Sequence, residues 1–290
     1  ILLQLERTGP EVVWLLFPYA AGTAVAALPW LRLLPVVWRP SFRSAVASRF
    51  AASGANALLP FFGMAGEPAR LLWLRKDAHA PGLAALVLDR VVYNASSALF
   101  LLFGGAVGWA LTPLPSLLGG AAFLTAALIL VATLGAYWAA LRWGIGARLQ
   151  YALRRVLGRS YEAPEFGPRV DAELHALLAG KRRELWRCAT LHFCARAVLA
   201  LEVWVTLWIL DVPADTGRAL VVASVPLATS LFASSIPSQL GVQEASQELV
   251  CTALGFAPGV GLSLVLLQRG RQLVFVALTP LLLASARERH

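Results

Sequence analysis

The chain of 290 residues is 58% hydrophobic and only 14% charged, with a mean hydropathy of +0.68. This composition excludes an ordinary soluble domain and predicts an integral membrane protein. The net charge of +9 could suggest nucleic acid as a partner. However, the arginines fall mainly in loops and at the ends of apolar segments, a distribution that favours membrane lipids as partners and not nucleic acid.

Several apolar segments along the chain approach or exceed the ~20 residues that a helix needs to cross a bilayer. None has the alternating pattern of a membrane β-barrel, so we predict an all-α, polytopic membrane protein. The segments are 11–31, 44–60, 82–110, 116–141, 186–210, 217–236 and 258–284. Two shorter amphipathic pieces are 64–76 and 244–256.

The arginines and lysines of the connections set the predicted orientation, because cytoplasmic loops carry an excess of these residues. The longest connection, 142–187, has ten of them against five acids and is predicted to be a cytoplasmic basic loop. Within it, apolar residues and arginines of 147–161 recur at helical spacing, which is typical of an amphipathic helix on an anionic leaflet. The C-terminus is also predicted to be cytoplasmic, and 111–116 and 211–217 to be external.

Two regions, 44–76 and 217–256, do not fit simple crossings. Both ends of 44–76 are predicted to be cytoplasmic, although 44–60 gives only about 24 Å of helix. We therefore predict a re-entrant hairpin there, and a second one at 217–256 that enters from outside. Segment 217–236 is long enough to cross alone, so a full crossing is the alternative for the second region. Irregular backbone at this depth is tolerated only inside protein or beside a water-filled cavity.

The two predicted hairpins have related sequences, LLPFFGMAGEPAR at 58–70 and SIPSQLGVQEASQ at 235–247. In each, a proline precedes a glutamate by seven residues: Pro60 with Glu67, and Pro237 with Glu244. An arginine follows in the next span, Arg90 in the first case and Arg269 in the second. We predict an inverted repeat of span, re-entrant hairpin and span that encloses a central polar cavity, an arrangement typical of transporters.

Under this interpretation, residues 1–290 form a single transmembrane domain. Its parts are repeat one at 11–110, an extra span at 116–141, the basic loop at 142–187 and repeat two at 186–284. The alternative is that the prolines and glycines only kink ordinary transmembrane helices. The glutamate at the same offset in both regions weighs against this, because a carboxylate at depth costs at least ~2.5 kcal/mol unless it is paired or hydrated.

Five motifs occur in order along the chain: NALLPFFGMAGEPAR, LVLDRVV, LALEVW, IPSQLGVQE and LLQRGR. With these motifs the chain resembles the lysylphosphatidylglycerol synthase transmembrane or flippase-like domain family over 11–284. The resemblance implies a multi-pass protein of the bacterial or archaeal plasma (inner) membrane that moves amphiphilic lipids between leaflets. The implied substrates are anionic, aminoacylated, polyprenyl-linked or hopanoid lipids. The soluble aminoacyl-transferase domain of the bifunctional members is absent, so lysyl transfer by this chain is not expected.

The resemblance and the buried charges together give the candidate residues. The predicted substrate-binding residues are Glu67, Arg70, Arg90, Arg196, Glu202, Glu244, Arg269 and Arg271. The predicted structural residues of the hairpin tips are Asn56, Pro60, Gly63, Gly66, Pro237, Gly241 and Gln243. Gln243 departs from the family, where an arginine is common. Charges within spans face a cavity or a partner, and a guanidinium suits lipid phosphate.

Alternatives stay open for several of these residues. Each hairpin glutamate can cap its own half-helix instead of facing a cavity. Arg70 can extend to the membrane interface. Arg196 and Glu202 can pair across helices instead of contacting substrate.

The predicted function is a lipid flippase or transporter. One alternative is an intramembrane lipid-modifying transferase, although no nucleophile elbow, metal-binding motif or P-loop occurs, so no catalytic residue, metal site or cofactor is predicted. The other alternative is a non-transporting accessory subunit whose partner is a lipid-synthesis enzyme.

Overall fold

The computed structural model describes residues 9–58, 66–111, 116–144, 146–148, 150–151, 165–180, 182–213, 215–232, 236 and 239–287. In these ranges the regular structure is helical, with no strand, which confirms the predicted all-α class. The α-helices are α1 (Leu16–Leu33), α2 (Phe42–Leu58), α3 (His79–Leu111), α4 (Ser116–Trp143), α5 (Phe166–Gly180), α6 (Arg182–Ile209), α7 (Thr216–Phe232), α8 (Val242–Ala253) and α9 (Val260–Arg287). Short 3₁₀ helices lie at Pro10–Leu15, Val36–Trp38, Pro68–Trp73 and Lys76–Ala78.

Four helical segments of the described residues are long and apolar enough to cross a membrane. They are Pro10–Leu33, Lys76–Gly108, Arg182–Ile209 and Val260–Thr279. All four coincide with predicted spans, so the chain is a multi-pass membrane protein. Shorter apolar stretches occur within α4 and α7, at Leu124–Ala136 and Thr216–Thr229.

Helices α2 and α7 both have fewer described residues than a membrane crossing requires. Each has 17 residues, against the ~20 that a crossing requires. Beyond residues that lie outside the described ranges, the next helical segment is short in both cases, Pro68–Trp73 after α2 and α8 after α7. The hairpins at 44–76 and 217–256, and their orientation relative to the membrane, stay predictions.

Several contacts between helices of the first half (α1 to α3) have a counterpart in the second half (α6 to α9), whereas the contacts of α3 with α4, α5 and α6 have no counterpart of similar extent. Helix α2 packs on α9, and its counterpart α7 packs on α3. Likewise α1 packs on α2 as α6 packs on α7, and the segment Pro68–Trp73 contacts α3 as α8 contacts α9. Helices α1 and α6, which begin the two halves, pack extensively on each other. Each half therefore contributes its hairpin helix to the other half.

The segment predicted to be a basic loop, 142–187, is not a loop throughout. It contains α5, and α6 begins at Arg182, close after the end of α5. Val170, Leu174 and Leu177 of α5 are buried in the apolar cluster that includes residues of α3. The sequence interpretation weighed the charges of this segment and overlooked its apolar residues at helical spacing. Most of the amphipathic helix predicted at 147–161 lies outside the described residues.

Candidate functional site

The buried carboxylate of Asp89, in α3, is the centre of a charged network in the first half. Its Oδ1 lies 2.8 Å from Nε2 of His192 in α6. Its Oδ2 lies 3.4 Å from Nη1 of Arg70 and 3.5 Å from Nη1 of Arg49 in α2. Asp89 is only 3% exposed. A buried charge is costly unless it is paired. These contacts therefore hold together α2, α3, α6 and the 3₁₀ helix Pro68–Trp73.

The tip of the first hairpin is closed by a hydrogen bond between two of the predicted tip residues. The Gly66 N–H donates to Oδ1 of Asn56 at 2.7 Å. Gly66 also lies directly against α2, since a Cβ at this position would be 2.0 Å from the carbonyl oxygen of Ala52. Only glycine fits there without a shift of the backbone. Two further predicted tip residues, Pro60 and Gly63, lie outside the described residues.

Glu67 is the next residue after Gly66, between α2 and α3, and its carboxylate lies beside two arginines. Its Oε2 lies 3.0 Å from Nη1 of Arg70, and its Oε1 lies 4.0 Å from Nη1 of Arg90. Burial acts to raise the pKa of the Glu67 carboxyl, but the guanidiniums of Arg70, Arg49 and Arg90 outweigh it and hold this pKa below its ordinary value. The Glu67 side chain makes no capping bond to the helix that follows. Pairing with arginine, and not capping, is its observed role.

Arg70 is fully buried and does not extend to the membrane interface. Its guanidinium carbon lies 4.4 Å from the ring centroid of Trp30, in addition to its contacts with Glu67 and Asp89. A cation over an indole face gains about 2 kcal/mol when the pair is desolvated. Arg70 therefore packs inside the protein, and the alternative that it extends to the membrane interface is wrong.

Glu244, in the second hairpin, has both of the roles that its sequence position suggested. Its Oε2 accepts a hydrogen bond from the N–H of Gly241 at 2.9 Å, which caps α8. Its Oε1 lies 2.7 Å from Nε of Arg269 in α9. Gly241 has a φ of +81°, a backbone conformation that glycine adopts readily. Pro237, the other predicted residue of this tip, lies outside the described residues.

A cavity of about 200 Å³ is lined by side chains from both halves. Its polar lining residues are Tyr19, Arg196, Glu202, Gln243, Gln268 and Arg271. The other lining residues are apolar and include Phe100 and Leu199. The structure thus brings together residues that are far apart in sequence, in α1, α6, α8 and α9.

Two arginines of this cavity differ in how their charge is balanced. Arg271 forms an ion pair with Glu202, and its guanidinium carbon lies 3.8 Å from the ring centroid of Tyr19. Arg196 donates a hydrogen bond to the hydroxyl of Ser97 and stacks over the ring of Tyr93, 4.4 Å from its centroid. Among the described residues, Arg196 has no carboxylate partner, and its Nε has no hydrogen-bond partner.

The buried polar region as a whole is positively charged. Among the described residues it contains six arginines: Arg49, Arg70, Arg90, Arg196, Arg269 and Arg271. The carboxylates paired with them number four: Glu67, Asp89, Glu202 and Glu244. Counting these side chains alone leaves an excess of two positive charges. Such an excess favours an anionic ligand.

The eight predicted substrate-binding residues fall into three groups. Glu67, Arg70 and Arg90 belong to the network of the first half, and Glu244 pairs with Arg269 at the second hairpin. The remaining three, Arg196, Glu202 and Arg271, line the cavity. Gln243, which was predicted as a tip residue, lines the cavity as well.

Sequence reasoning missed several residues of this region, among them Arg49, Tyr19 and Tyr93. Arg49 is a charge inside a short apolar segment, so the argument applied to the other buried charges would have identified it. Tyr19 and Tyr93 carry the ring faces against which Arg271 and Arg196 lie. No sequence signal distinguishes them, because tyrosines are common in membrane spans for other reasons.

These features define a polytopic, all-helical membrane protein with buried arginine–carboxylate pairs. The sequence pattern of one family, described as the lysylphosphatidylglycerol synthase TM region, matches residues 1–279, and the chain belongs to this family. The resemblance found from the motifs is thereby confirmed, and it places the chain among membrane domains linked to lipid synthesis or flipping. No curated protein and no solved structure matched the chain.

Proposed function

We propose that this protein is a lipid transporter that moves an amphiphilic lipid between the two leaflets of the plasma membrane. The observation that carries the proposal is the cavity of about 200 Å³ that contains Arg196 and the Arg271–Glu202 pair. Charged side chains are expensive within a membrane and mark substrate pathways there. The headgroup enters this cavity, while the acyl chains remain in the bilayer.

The paired arrangement of the helices supports a transport mechanism. The contact of α2 with α9 corresponds to the contact of α7 with α3 when the two halves are compared. The hairpin ion pairs correspond in the same way, Glu67 with Arg90 and Glu244 with Arg269. In transporters built from inverted repeats, rocking of one unit against the other opens a shared site to each side in turn. We propose the same movement here, with the cavity as the shared site.

The distribution of charge supports one orientation in the membrane. The segment between α4 and α6 is rich in arginine, and Arg32, at the end of the first span, pairs with Glu184 at the start of α6. By the positive-inside rule we propose that this face, with residues 142–187 and the C-terminus, is cytoplasmic. Headgroups would then be taken up from, or delivered to, the cytoplasmic leaflet on that side.

A proteoliposome assay tests the proposal. The purified protein is reconstituted into vesicles that contain a trace of fluorescent phospholipid, and a membrane-impermeant reductant bleaches the outer leaflet. Transport exposes the protected inner-leaflet lipid, so bleaching becomes more complete than in protein-free vesicles. Arg196→Gln should slow this exposure about tenfold, since a hydrogen bond to a charged group contributes about 1.5–3 kcal/mol.

The matched control is Arg75→Gln, because the Arg75 side chain is 85% exposed and is not among the residues that line the cavity. It should transport at the rate of the unchanged protein. Absence of movement for every anionic, aminoacylated and polyprenyl lipid would count against transport. Recovery of a chemically altered lipid from the vesicles would instead favour the intramembrane transferase.

A further inference from the structure

The buried pair of Asp89 and His192 connects the two halves of the protein. Asp89 lies in α3, in the first half, and His192 lies in α6, in the second. Oδ1 of Asp89 is 2.8 Å from Nε2 of His192, and the two residues are only 3% and 1% exposed. Ionisable side chains are expensive inside a membrane, and in transporters they often carry protons. The proposed rocking of one half against the other would change this contact directly.

The hydrogen bonding of the pair leaves one ring nitrogen of His192 available to a proton. Asp89 also lies beside the guanidiniums of Arg70 and Arg49, so its carboxylate is ionised and can only accept hydrogen bonds. Nε2 of His192 therefore carries the hydrogen, and in the neutral ring Nδ1 has a free lone pair. Nδ1 is buried and has no hydrogen-bond partner among the described residues. A proton that binds there forms an imidazolium, which the neighbouring carboxylate stabilises.

Charged and aromatic groups face the ring of His192 from the elements packed around it. Arg49 of α2 and Arg196, one turn further along α6, place positive charge near it, and Asp89 of α3 places negative charge there. The ring of Tyr93 in α3 meets the ring of His192 edge-on, with 5.4 Å between centroids. The same tyrosine ring lies 4.4 Å from the guanidinium carbon of Arg196, which lines the cavity. A charge gained by His192 therefore acts on an arginine of the cavity.

These charges link a proton on His192 to the ligand of the cavity. The positive charges of Arg49 and Arg196 oppose protonation of the ring, and the Asp89 carboxylate favours it. The phosphate of a lipid beside Arg196 would offset one of the opposing charges, whichever phospholipid carries it. Binding of the lipid therefore promotes binding of the proton, and by reciprocity the proton promotes binding of the lipid.

We infer that His192 is a proton-binding site and that one proton, taken up at its Nδ1, crosses the membrane with each lipid. This inference rests on the proposed transport function and adds an energy source to it. The proton is taken up from the more acidic side, and its release to the other side restores the neutral ring. Lipid therefore moves in the same direction as the proton and accumulates in the leaflet that faces the alkaline side.

Proteoliposomes with an acidic exterior test this coupling. They contain a trace of fluorescent phosphatidylglycerol, and an impermeant quencher measures how much of it faces outside. With one proton per lipid, a gradient of about one pH unit should shift the distribution between leaflets toward the interior by up to about tenfold. Protein-free vesicles under the same gradient give the background, which is subtracted. An even distribution at every gradient would overturn the coupling.

Two histidine variants assign the effect to one residue. His192→Gln keeps a group that can donate to Asp89 but cannot take up a proton, so lipid should still move and should distribute evenly whatever the gradient. His175→Gln is the matched control, because His175 is exposed on α5, and its response to the gradient should equal that of the unchanged protein. A response that persists in full in His192→Gln would overturn the assignment to His192.

A direct titration of His192 does not depend on transport or on the folding of His192→Gln. Changing the other histidines of the chain, His79, His175 and His290, to glutamine leaves His192 as the histidine observed by nitrogen NMR in detergent micelles. The ring should gain a proton within the range of about pH 5 to 8, where histidine titrates. Adding dihexanoyl phosphatidylglycerol should raise the protonated fraction at a fixed pH. A ring that stays neutral throughout, with and without the lipid, would overturn the proton site.

Failure of the inference and failure of the proposed function give different results. If lipid moves but ignores the gradient, transport stands and the inferred coupling is wrong. If no lipid moves but the short-chain lipid still raises the protonated fraction of His192, the proposed transport is wrong and the proton site stands.

Discussion

The Asp89 network gives the sharpest test of how buried charges stabilise this fold. The change Asp89→Asn keeps the size of the side chain and removes its negative charge. Asp89 contacts Arg70, which is fully buried, at 3.4 Å, Arg49 at 3.5 Å and His192 at 2.8 Å. Removing one partner of a buried ion pair costs about 3–5 kcal/mol. The asparagine oxygen still accepts one hydrogen bond, which recovers about 1 kcal/mol. We therefore expect a net loss of about 2–4 kcal/mol in the free energy of unfolding.

Asp77→Asn is the matched control, since it makes the same change near the start of the same span. The Asp77 side chain is 55% exposed and its partner Arg75 is 85% exposed. Such exposed pairs contribute at most about 1 kcal/mol. The assay is reversible unfolding of the purified protein in mixed micelles by titration with a denaturing detergent, followed by circular dichroism.

Two results would refute this reasoning about Asp89. The first is a loss for Asp89→Asn no larger than that for Asp77→Asn. The second is additivity of Asp89→Asn and Arg70→Met in a double variant. Asp89→Asn leaves the charge of Arg70 poorly compensated, and Arg70→Met removes that charge. The double variant should lose less stability than the sum of the two single variants, because residues in one network are not independent. Simple additivity would mean that these charges do not act together.

Two further predictions concern the hairpins. Gly66→Ala places a Cβ 2.0 Å from the carbonyl oxygen of Ala52. It should lower the free energy of unfolding by about 1–3 kcal/mol. An unchanged melting temperature would argue against this close packing. Glu244→Gln retains an oxygen for the N–H of Gly241 but removes the charge that lies 2.7 Å from Arg269, so it should cost about 1–2 kcal/mol. Adding Arg269→Gln should then cost little more by the same thermal measurement, whereas a second loss of equal size would contradict the pairing.

Much of the fold could be predicted from the lengths of the apolar segments. Each of the four membrane-crossing segments coincides with a predicted span because burial in lipid demands about twenty apolar residues in succession. Helix α5 was missed because it does not cross the membrane. Its Val170, Leu174 and Leu177 repeat at helical spacing among charged residues, a signal weaker than a long apolar run.

In the candidate site, the ion pairs within each half could be predicted from the sequence more readily than the contacts between distant helices. Arg269 follows Glu244 at nearly the same distance along the chain as Arg90 follows Glu67, and both pairs are present in the structure. The contacts of Asp89 and of the cavity depend on how helices from different parts of the chain are rotated against each other. This relative rotation is set by the packing of whole helices, so no local sequence pattern predicts it.

The exchange of hairpin helices between the two halves has a consequence for how the protein is made. Helix α2 packs on α9, about 200 residues further along the chain, so it cannot reach its final surroundings until α9 has been synthesised. At about 5–20 residues per second, α9 leaves the ribosome on the order of ten seconds or more after α2. During that interval the ring of Phe50 in α2 lacks Phe275 of α9, on which it stacks in the finished bundle. The packing of α2 in the membrane is therefore completed only once α9 is present, and truncation before α9 leaves α2 without the helix on which it packs.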